Sequence, residues 1–231
     1  MIPYRALLLV GSPKGPQSTS EALGTYLAGR LRDRGLQVQK IRIHSALRTE
    51  EGIQSLFEAV DRTDILILAF PLYVDSLPAP VIRTLELIAD RRKSLPGGTG
   101  AGMIALVNCG FPEACHNETA LEICRLFASE ANLVWLGGLS LGGGGAISGK
   151  SLDRIGAMGR NARGALDLTA TALAEGRTVP PEAIERMSKP LVPGWLYTLI
   201  GSIGWIRKAR RSGVLMKLND RPYRPSPVSR T

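Results

Sequence analysis

The sequence lacks a cysteine framework, an internal repeat and a long low-complexity segment. Its three cysteines, Cys109, Cys115 and Cys124, show no CxxC spacing. This is typical of a reducing compartment and argues against a secreted protein linked by disulfides. The amino-terminal stretch MIPYRALLLVGSPKG has only a short apolar run before its proline and glycine residues. We therefore expect a first strand here rather than a signal peptide, and a cytoplasmic protein.

Acidic residues are scarce in the carboxyl-terminal part of the chain. From Glu185 onward, ten Lys and Arg residues stand against two acids, which gives this part a charge of +8. The preceding residues hold the other 19 basic and 18 acidic groups and are nearly neutral at +1. This contrast predicts a domain over residues 1–180 and a cationic extension over 181–231. We expect no nucleic-acid partner for either part.

Apolar runs alternate with amphipathic segments along most of the chain. This alternation predicts an α/β fold, in which helices cover both faces of a doubly wound parallel sheet. The expected strands cover residues 5–11, 36–43, 64–70, 102–108 and 133–141. The expected helices cover about residues 18–34, 50–61, 79–92, 115–130 and 152–175. Ligands of such folds bind beyond the carboxyl ends of the strands. The candidate loops are therefore 11–18, 70–78, 108–114 and 141–151.

The stretch GGGGAISGKS, residues 142–151, contains the G-x-x-x-x-G-K-S pattern of a phosphate-binding P-loop. A P-loop enzyme places this loop after an early strand and needs an acid at the end of another strand to hold Mg²⁺. Here the match follows the last strand, and none of the strands LLLVG, LILAF and IALVN ends in an acid. We therefore favour a glycine-rich loop that closes over a ligand bound by the other loops.

The loop after the first strand, GSPKGPQSTSEAL, has two interpretations. Its hydroxyl groups, the charge of Lys14 and the free N–H groups of the following helix would form a site for a phosphate. Alternatively, Ser18 and Glu21 form an S-x-x-E capping box, and the serines serve only the helix.

Two further loops carry residues suited to a flat ring system. FPLYVDSLPAPV holds Tyr73 among three prolines, and NCGFPEACHN holds Phe111, Glu113 and exposed N–H groups around Gly110. Each loop is otherwise an ordinary turn between a strand and a helix. One phosphate-binding loop and two ring-sized loops on one sheet edge together suggest a mononucleotide with a large planar base.

The segments LLLVGSPKGPQSTSEAL, DILILAFPLYVDSLPAPV and ALVNCGFPEACHNETALEICRLF occur in the order found in the flavodoxin-like NAD(P)H-dependent FMN reductase and quinone reductase family, which residues 4–176 resemble. The family implies a five-stranded sheet of order 2-1-3-4-5. It usually has Arg and Asn where Lys14 and Ser18 stand, and a lysine holds a phosphate as a point charge rather than a bidentate fork. The resemblance implies that the FMN phosphate is held by Ser12, Lys14, Ser18, Thr19 and Ser20. It implies that the ring is lined on one side by Pro71, Leu72, Tyr73 and Val74, and along its other edge by Asn108, Cys109, Gly110, Phe111 and Glu113.

The resemblance also implies an activity. Hydride would pass from NADPH or NADH through FMN to a quinone, another flat acceptor or a redox partner protein. This chemistry needs no obligate acid or base, so no catalytic side chain and no metal site is predicted. Two alternatives are a non-enzymatic flavodoxin-type electron carrier, against which the basic tail argues, and a membrane-associated binding protein with a lapsed flavin site.

Three residues near these loops have two interpretations each. Cys109 either tunes the flavin or is a small packed residue. His116 either donates to a substrate oxygen or caps a helix in solvent. Lys150 either meets a nicotinamide phosphate or is solvated.

The extension contains an uncharged segment, residues 190–206, which the basic cluster 207–211 follows directly. Its glycines, its proline and a length under ~20 residues argue against a spanning helix. One helical face would carry Leu196, Leu199, Ile200, Ile203 and Ile206. This face either docks on the body or on a second subunit of a homodimer, or it rests in an anionic membrane interface with Trp195, Trp205 and the basic cluster.

Overall fold

The computed structural model describes residues 4–93, 100–147, 149–192 and 194–220. Contacts divide the chain into two compact units, Met1–Leu191 and Val192–Thr231. We call these the sheet unit and the carboxyl-terminal unit, and each is described by itself. The end of the predicted tail, residues 221–231, lies outside the described residues.

The sheet unit contains one five-stranded parallel sheet of order β2-β1-β3-β4-β5. The predicted topology is confirmed. Strands β1, β3 and β4 are apolar along nearly their whole length because helices cover both of their faces, whereas β2 lies at an edge and is partly exposed. The strands are β1 (Arg5–Val10), β2 (Gln37–Arg42), β3 (Ile65–Pro71), β4 (Gly102–Asn108) and β5 (Val134–Leu141).

The helices pack against the two faces of the sheet. The pleat sends Ala6, Leu8 and Val10 of β1 into one buried cluster and Leu7 and Leu9 into the other. The helices are α1 (Thr19–Arg32), α2 (Ile43–Ala46), α3 (Glu50–Asp61), α4 (Ala79–Lys93), α5 (Glu118–Glu130), α6 (Arg160–Ala174) and α7 (Pro181–Ser188). Helices α1 and α6 contribute to the first cluster, and α3, α4 and α5 contribute to the second.

The structure differs from the predicted helices in four places, one of which is helix α7, which was not predicted. Helix α6 begins at Arg160 rather than at Leu152, because residues 152–159 form 3-10 turns that Gly156 interrupts at φ 58° and ψ −137°. Helix α5 begins at Glu118, after a 3-10 turn over Ala114–Asn117. The short helix α2 has no counterpart in the prediction.

Helix α7 belongs to the sheet unit, which therefore extends past residue 180. The Val179 N–H donates to the Leu136 carbonyl at 2.8 Å and draws the chain along the free edge of β5. Beyond it, Ala183 and Met187 are buried in the same cluster as the first face of β1. The charge contrast that suggested a boundary near 180 does not detect this packing.

The carboxyl-terminal unit contains helix α8 (Gly194–Arg211) and a 3-10 turn over Leu215–Lys217. Helix α8 covers most of the uncharged segment and ends within the basic cluster, as the sequence suggested. Among the residues that the structure describes, no helix combines the length and the hydropathy needed to cross a bilayer.

Candidate functional site

A cavity of about 190 Å³ lies at the carboxyl ends of β1, β3, β4 and β5. Parallel strands of a doubly wound sheet bring the loops that follow them to one edge, which explains why distant sequence segments meet here. The lining includes most of the residues predicted for the site: Ser12, Lys14, Ser18, Thr19, Ser20, Pro71, Leu72, Tyr73, Asn108, Cys109 and Gly110. Val74, Phe111 and Glu113 are not part of this lining.

The amino terminus of α1 borders the cavity with free N–H groups. Ser18 caps the helix, because its Oγ accepts from the Glu21 N–H at 3.1 Å and donates to the Gly15 carbonyl at 2.8 Å. The N–H groups of Thr19 and Ser20, in the first turn, have no acceptor within the described residues. The cap and the anion site are therefore compatible, since Ser18 satisfies one N–H group and leaves two for a ligand.

The hydroxyl groups of Thr19 and Ser20 donate to the protein. Thr19 Oγ1 donates to the Gly144 carbonyl at 2.6 Å, and Ser20 Oγ donates to Asn108 Oδ1 at 2.8 Å. These bonds connect the start of α1 to the loops after β5 and β4. Ser12 is buried and its hydroxyl has no partner in the described part of the chain, while Lys14 is exposed at the cavity. Ser12 and Lys14 are thus free to meet an anion, and Thr19 and Ser20 hold the helix in place.

The glycine-rich loop after β5 is packed on protein backbone. The Gly143 N–H donates to the Phe111 carbonyl at 2.6 Å, and the Gly144 N–H donates to the Cys109 carbonyl at 2.9 Å. The Gly149 N–H donates to the Gln17 carbonyl at 2.9 Å. In a P-loop such N–H groups converge on phosphates, so these bonds favour the packed loop over the P-loop interpretation. Ser148, within the P-loop match, lies outside the described residues.

Gly144 and Gly145 line the cavity but were not among the predicted site residues. In the sequence, only their position after the last strand indicated that these two glycines would lie at the site. The backbones of the loops after β4 and β5 approach closely here: a Cβ at Gly142 would lie 2.1 Å from the Pro112 carbonyl oxygen. A Cβ at Gly110 or Gly145, by contrast, meets no atom within 4 Å, so the cavity is open on that side.

A strained turn follows β3. The Tyr73 N–H donates to the Ser76 carbonyl at 2.9 Å, and the Ser76 N–H donates back to the Tyr73 carbonyl at 3.0 Å. The two residues between them, Val74 and Asp75, have φ values of 49° and 54°. Positive φ at both positions is the requirement that normally selects Asn-Gly, and it is strongly unfavourable for a β-branched valine. The turn leaves the Val74 side chain 97% exposed beside the half-exposed Tyr73.

The loop after β4 places its predicted residues in three different environments. Cys109 is buried, and burial raises the pKa of its thiol although hydrogen bonds with the Phe111 backbone and Asn117 oppose the shift. This favours the packed-residue interpretation. Phe111 is exposed and its ring stacks near that of His116, with 4.3 Å between centroids. The Glu113 side chain is also exposed.

The capping box is only half formed. Instead of returning to the Ser18 N–H, the Glu21 carboxylate accepts from Lys40 Nζ at 2.5 Å and from Arg42 Nη2 at 2.9 Å. Burial alone would raise the pKa of Glu21, but the hydrogen bonds and charges of Arg42 and Lys40 outweigh burial and lower it. Glu21 therefore links the first turn of α1 to the edge strand β2.

Lys150, with Glu21 and Lys40, lines a separate groove of about 460 Å³ along α1.

No family model matches the sequence, and no curated protein matches it closely enough to be identified as a relative. Solved structures do match. An FMN-dependent NADH-azoreductase from Bacillus anthracis, solved with FMN, superposes with a TM-score of 0.54 at 10% identity, over 74% of this chain and 99% of that chain. A Klebsiella pneumoniae protein assigned as a quinone reductase gives a TM-score of 0.53 at 16% identity, over 77% and 87%. The chain has the flavodoxin-like fold.

Rubredoxin:oxygen oxidoreductase from Desulfovibrio gigas also matches, with a TM-score of 0.52 at 11% identity over 74% of this chain. This flavodoxin-like chain spans only 35% of the length of that protein. Among the residues that the structure describes, no three His, Cys, Asp or Glu side chains lie close enough to hold a metal ion.

The residues of the candidate site are suited to the phosphate of a mononucleotide such as FMN. Two orphan N–H groups, a free buried hydroxyl and a lysine are suited to an anion. The cavity is smaller than the ~300–1,000 Å³ of complete ligand pockets, so it would enclose only part of a mononucleotide. The open side at Gly110 and the exposed turn at Tyr73 leave room for a planar ring beyond it.

Proposed function

We propose that this chain is an FMN-dependent NAD(P)H oxidoreductase that passes hydride to a quinone or another flat acceptor. The observation that carries the proposal is the free N–H pair of Thr19 and Ser20, which borders a cavity at the carboxyl ends of four strands. The azoreductase with the same fold was solved with FMN, which supports this choice of cofactor.

Each part of the site has a defined task in this proposal. When bound, FMN would supply the hydride-transfer chemistry, and the protein would supply binding and orientation. The N–H groups of Thr19 and Ser20, with Ser12 and Lys14, hold the phosphate. Asn108 fixes the start of α1 through Ser20 and so sets the direction of those N–H groups.

The ring would lie outside the cavity, between loops that differ in rigidity. Tyr73 and Val74 would cover one side of the ring and keep water from that side. Gly110 carries no side chain, and this leaves the other edge accessible to a reductant and an acceptor. No side chain in this arrangement transfers a proton, so none is assigned as catalytic.

The proposal extends to the acceptor, the reductant and the cellular setting. A quinone fits because Tyr73 and Val74 present exposed apolar surface beside the cavity, and a protein assigned as a quinone reductase shares the fold. NADPH or NADH supplies the hydride. We place the reaction in the cytoplasm, where the three cysteines stay reduced, and we expect a homodimer.

The test is the visible absorption spectrum of the purified protein with FMN, before and after anaerobic NADPH or NADH. Flavin bands that bleach quickly and return when a quinone is added would support the oxidoreductase. Flavin that only dithionite or a separate reductase bleaches would instead identify an electron carrier. Failure to take up FMN would refute both.

A further inference from the structure

Helix α8 carries its apolar residues and its charges in separate parts. Along Gly194–Arg211, Leu196, Leu199, Ile203 and Ile206 share one face, and the opposite face carries Thr198, Gly201 and Trp205. Leu199, Ile203 and Ile206 are exposed, as are Trp195 and Trp205, each with 70% of its surface accessible. Scattered apolar residues are normal on a surface, but a continuous exposed stripe of this kind marks an interaction site.

The charges of this unit are concentrated where α8 ends. Arg207, Lys208, Arg210 and Arg211 form the basic cluster, and Asp220 is the only acid between residues 192 and 231. The cations lie at the end of the helix where the macrodipole is negative, so their position is favourable for the helix itself. Lys208 Nζ also lies 5.6 Å from the centroid of the Trp205 ring.

Exposed apolar residues resume directly after the basic cluster. Val214, Leu215, Met216 and Leu218 are all exposed, and Met216 is almost fully accessible. The cations are therefore flanked on both sides by apolar side chains. A nucleic-acid surface would pair with the cations but not with these residues. A bilayer interface offers anionic headgroups beside hydrocarbon, and tryptophan prefers that boundary.

We propose that α8 and the residues up to Leu218 form a peripheral binding device for an anionic lipid surface. Helix α8 lies in the plane of the interface, with its apolar face toward the hydrocarbon and the basic cluster among the headgroups. The inference does not depend on flavin binding, because the device belongs to the carboxyl-terminal unit.

The test is flotation of the full-length protein with two kinds of vesicle, pure phosphatidylcholine and phosphatidylcholine mixed with phosphatidylglycerol. We expect binding to the mixed vesicles only, and weaker binding as salt is raised. Replacing the four residues of the basic cluster with Gln should lower the partition coefficient about 600-fold, since each of the four cations near an anionic surface contributes about fivefold.

Two sets of variants separate the lipid device from general charge. A matched control replaces four exposed cations of the sheet unit, Arg62, Arg83, Arg125 and Arg177, with Gln and should bind vesicles almost like the wild type. Ile203→Asp should abolish binding although it leaves the basic cluster intact. Unchanged thermal unfolding of the sheet unit will show that the variants fold.

Three results would overturn the proposal. One is wild-type protein that stays unbound to the mixed vesicles. Another is an equal loss of binding in the control and the cluster variants, which would indicate net charge alone. The third is wild-type protein that does not bind vesicles together with a change of oligomeric mass in Ile203→Asp. In that case α8 would contact a second copy of the chain.

Discussion

The two ends of the candidate site differ in how they are held. At the α1 end, Ser18, Thr19 and Ser20 are buried, and each hydroxyl donates to a protein acceptor. At the other end, Val74 and Asp75 stand at positive φ in an exposed turn. Strain of this kind costs about 1–3 kcal/mol per residue and is characteristic of functional sites. The comparison suggests that the proposed phosphate end is fixed before a ligand binds and that the proposed ring end stores strain.

The rigidity of the α1 end depends on the backbone contact between the loops after β4 and β5, so breaking that contact should have the largest effect. Gly142→Ala places a Cβ 2.1 Å from the Pro112 carbonyl oxygen, and we expect it to destabilise the protein by about 3 kcal/mol in urea unfolding. The matched control is Gly145→Ala, which meets no atom within 4 Å and should leave stability unchanged. Equal stability of the two variants would show that the loops are not tightly packed.

The next largest effect on stability concerns the ion pairs that link α1 to β2. Glu21→Gln leaves Lys40 and Arg42 without their carboxylate. It should lower the free energy of unfolding by about 2 kcal/mol at neutral pH. Glu86→Gln, which removes an exposed partner of Arg83, should cost under about 0.5 kcal/mol. Urea unfolding of both variants measures the difference.

The ion pairs of Glu21 with Lys40 and Arg42 also make the stability of the protein depend on pH. The pKa of Glu21 lies below its ordinary value of 4.5 in the folded protein, so its contribution to stability is present above pH 4.5 and is lost as the pH falls through the folded pKa. The stability gap between wild type and Glu21→Gln should therefore narrow in acid. A gap that stays constant between neutral pH and pH 3 would contradict this role.

In the turn after β3, by contrast, we expect a substitution to raise the stability of the protein. Val74→Asn combined with Asp75→Gly gives the turn the residues that its geometry favours, and we expect a stabilisation of about 1 kcal/mol. Val74 is almost fully exposed, so the change removes little packing. If Val74 covers the flavin ring, FMN affinity should fall while stability rises. Destabilisation of this variant would refute the strained turn.

The same contrast explains what the sequence could predict. Runs such as ILILAF in β3 and GMIALVN in β4 are typical of buried parallel strands, so the doubly wound sheet and the loops after its strands could be predicted. The strand order came from the family resemblance. The capping box did not form as expected, because Lys40 and Arg42 approach Glu21 from a strand that is adjacent only in the fold. Nothing in the local sequence shows that Val74 is held at positive φ, because the turn is closed by the two hydrogen bonds between Tyr73 and Ser76.

The most direct test of the account compares the affinities of FMN and riboflavin, which differ only in the phosphate. Measured by fluorescence quenching, Ser12→Ala combined with Lys14→Gln should lose about tenfold or more in FMN affinity. Its riboflavin affinity should match that of the wild type. Lys93→Gln, which removes a cation paired with Glu130 away from the cavity, should change neither affinity. Equal losses for both flavins, or no loss of FMN affinity, would contradict a phosphate site at the amino terminus of α1.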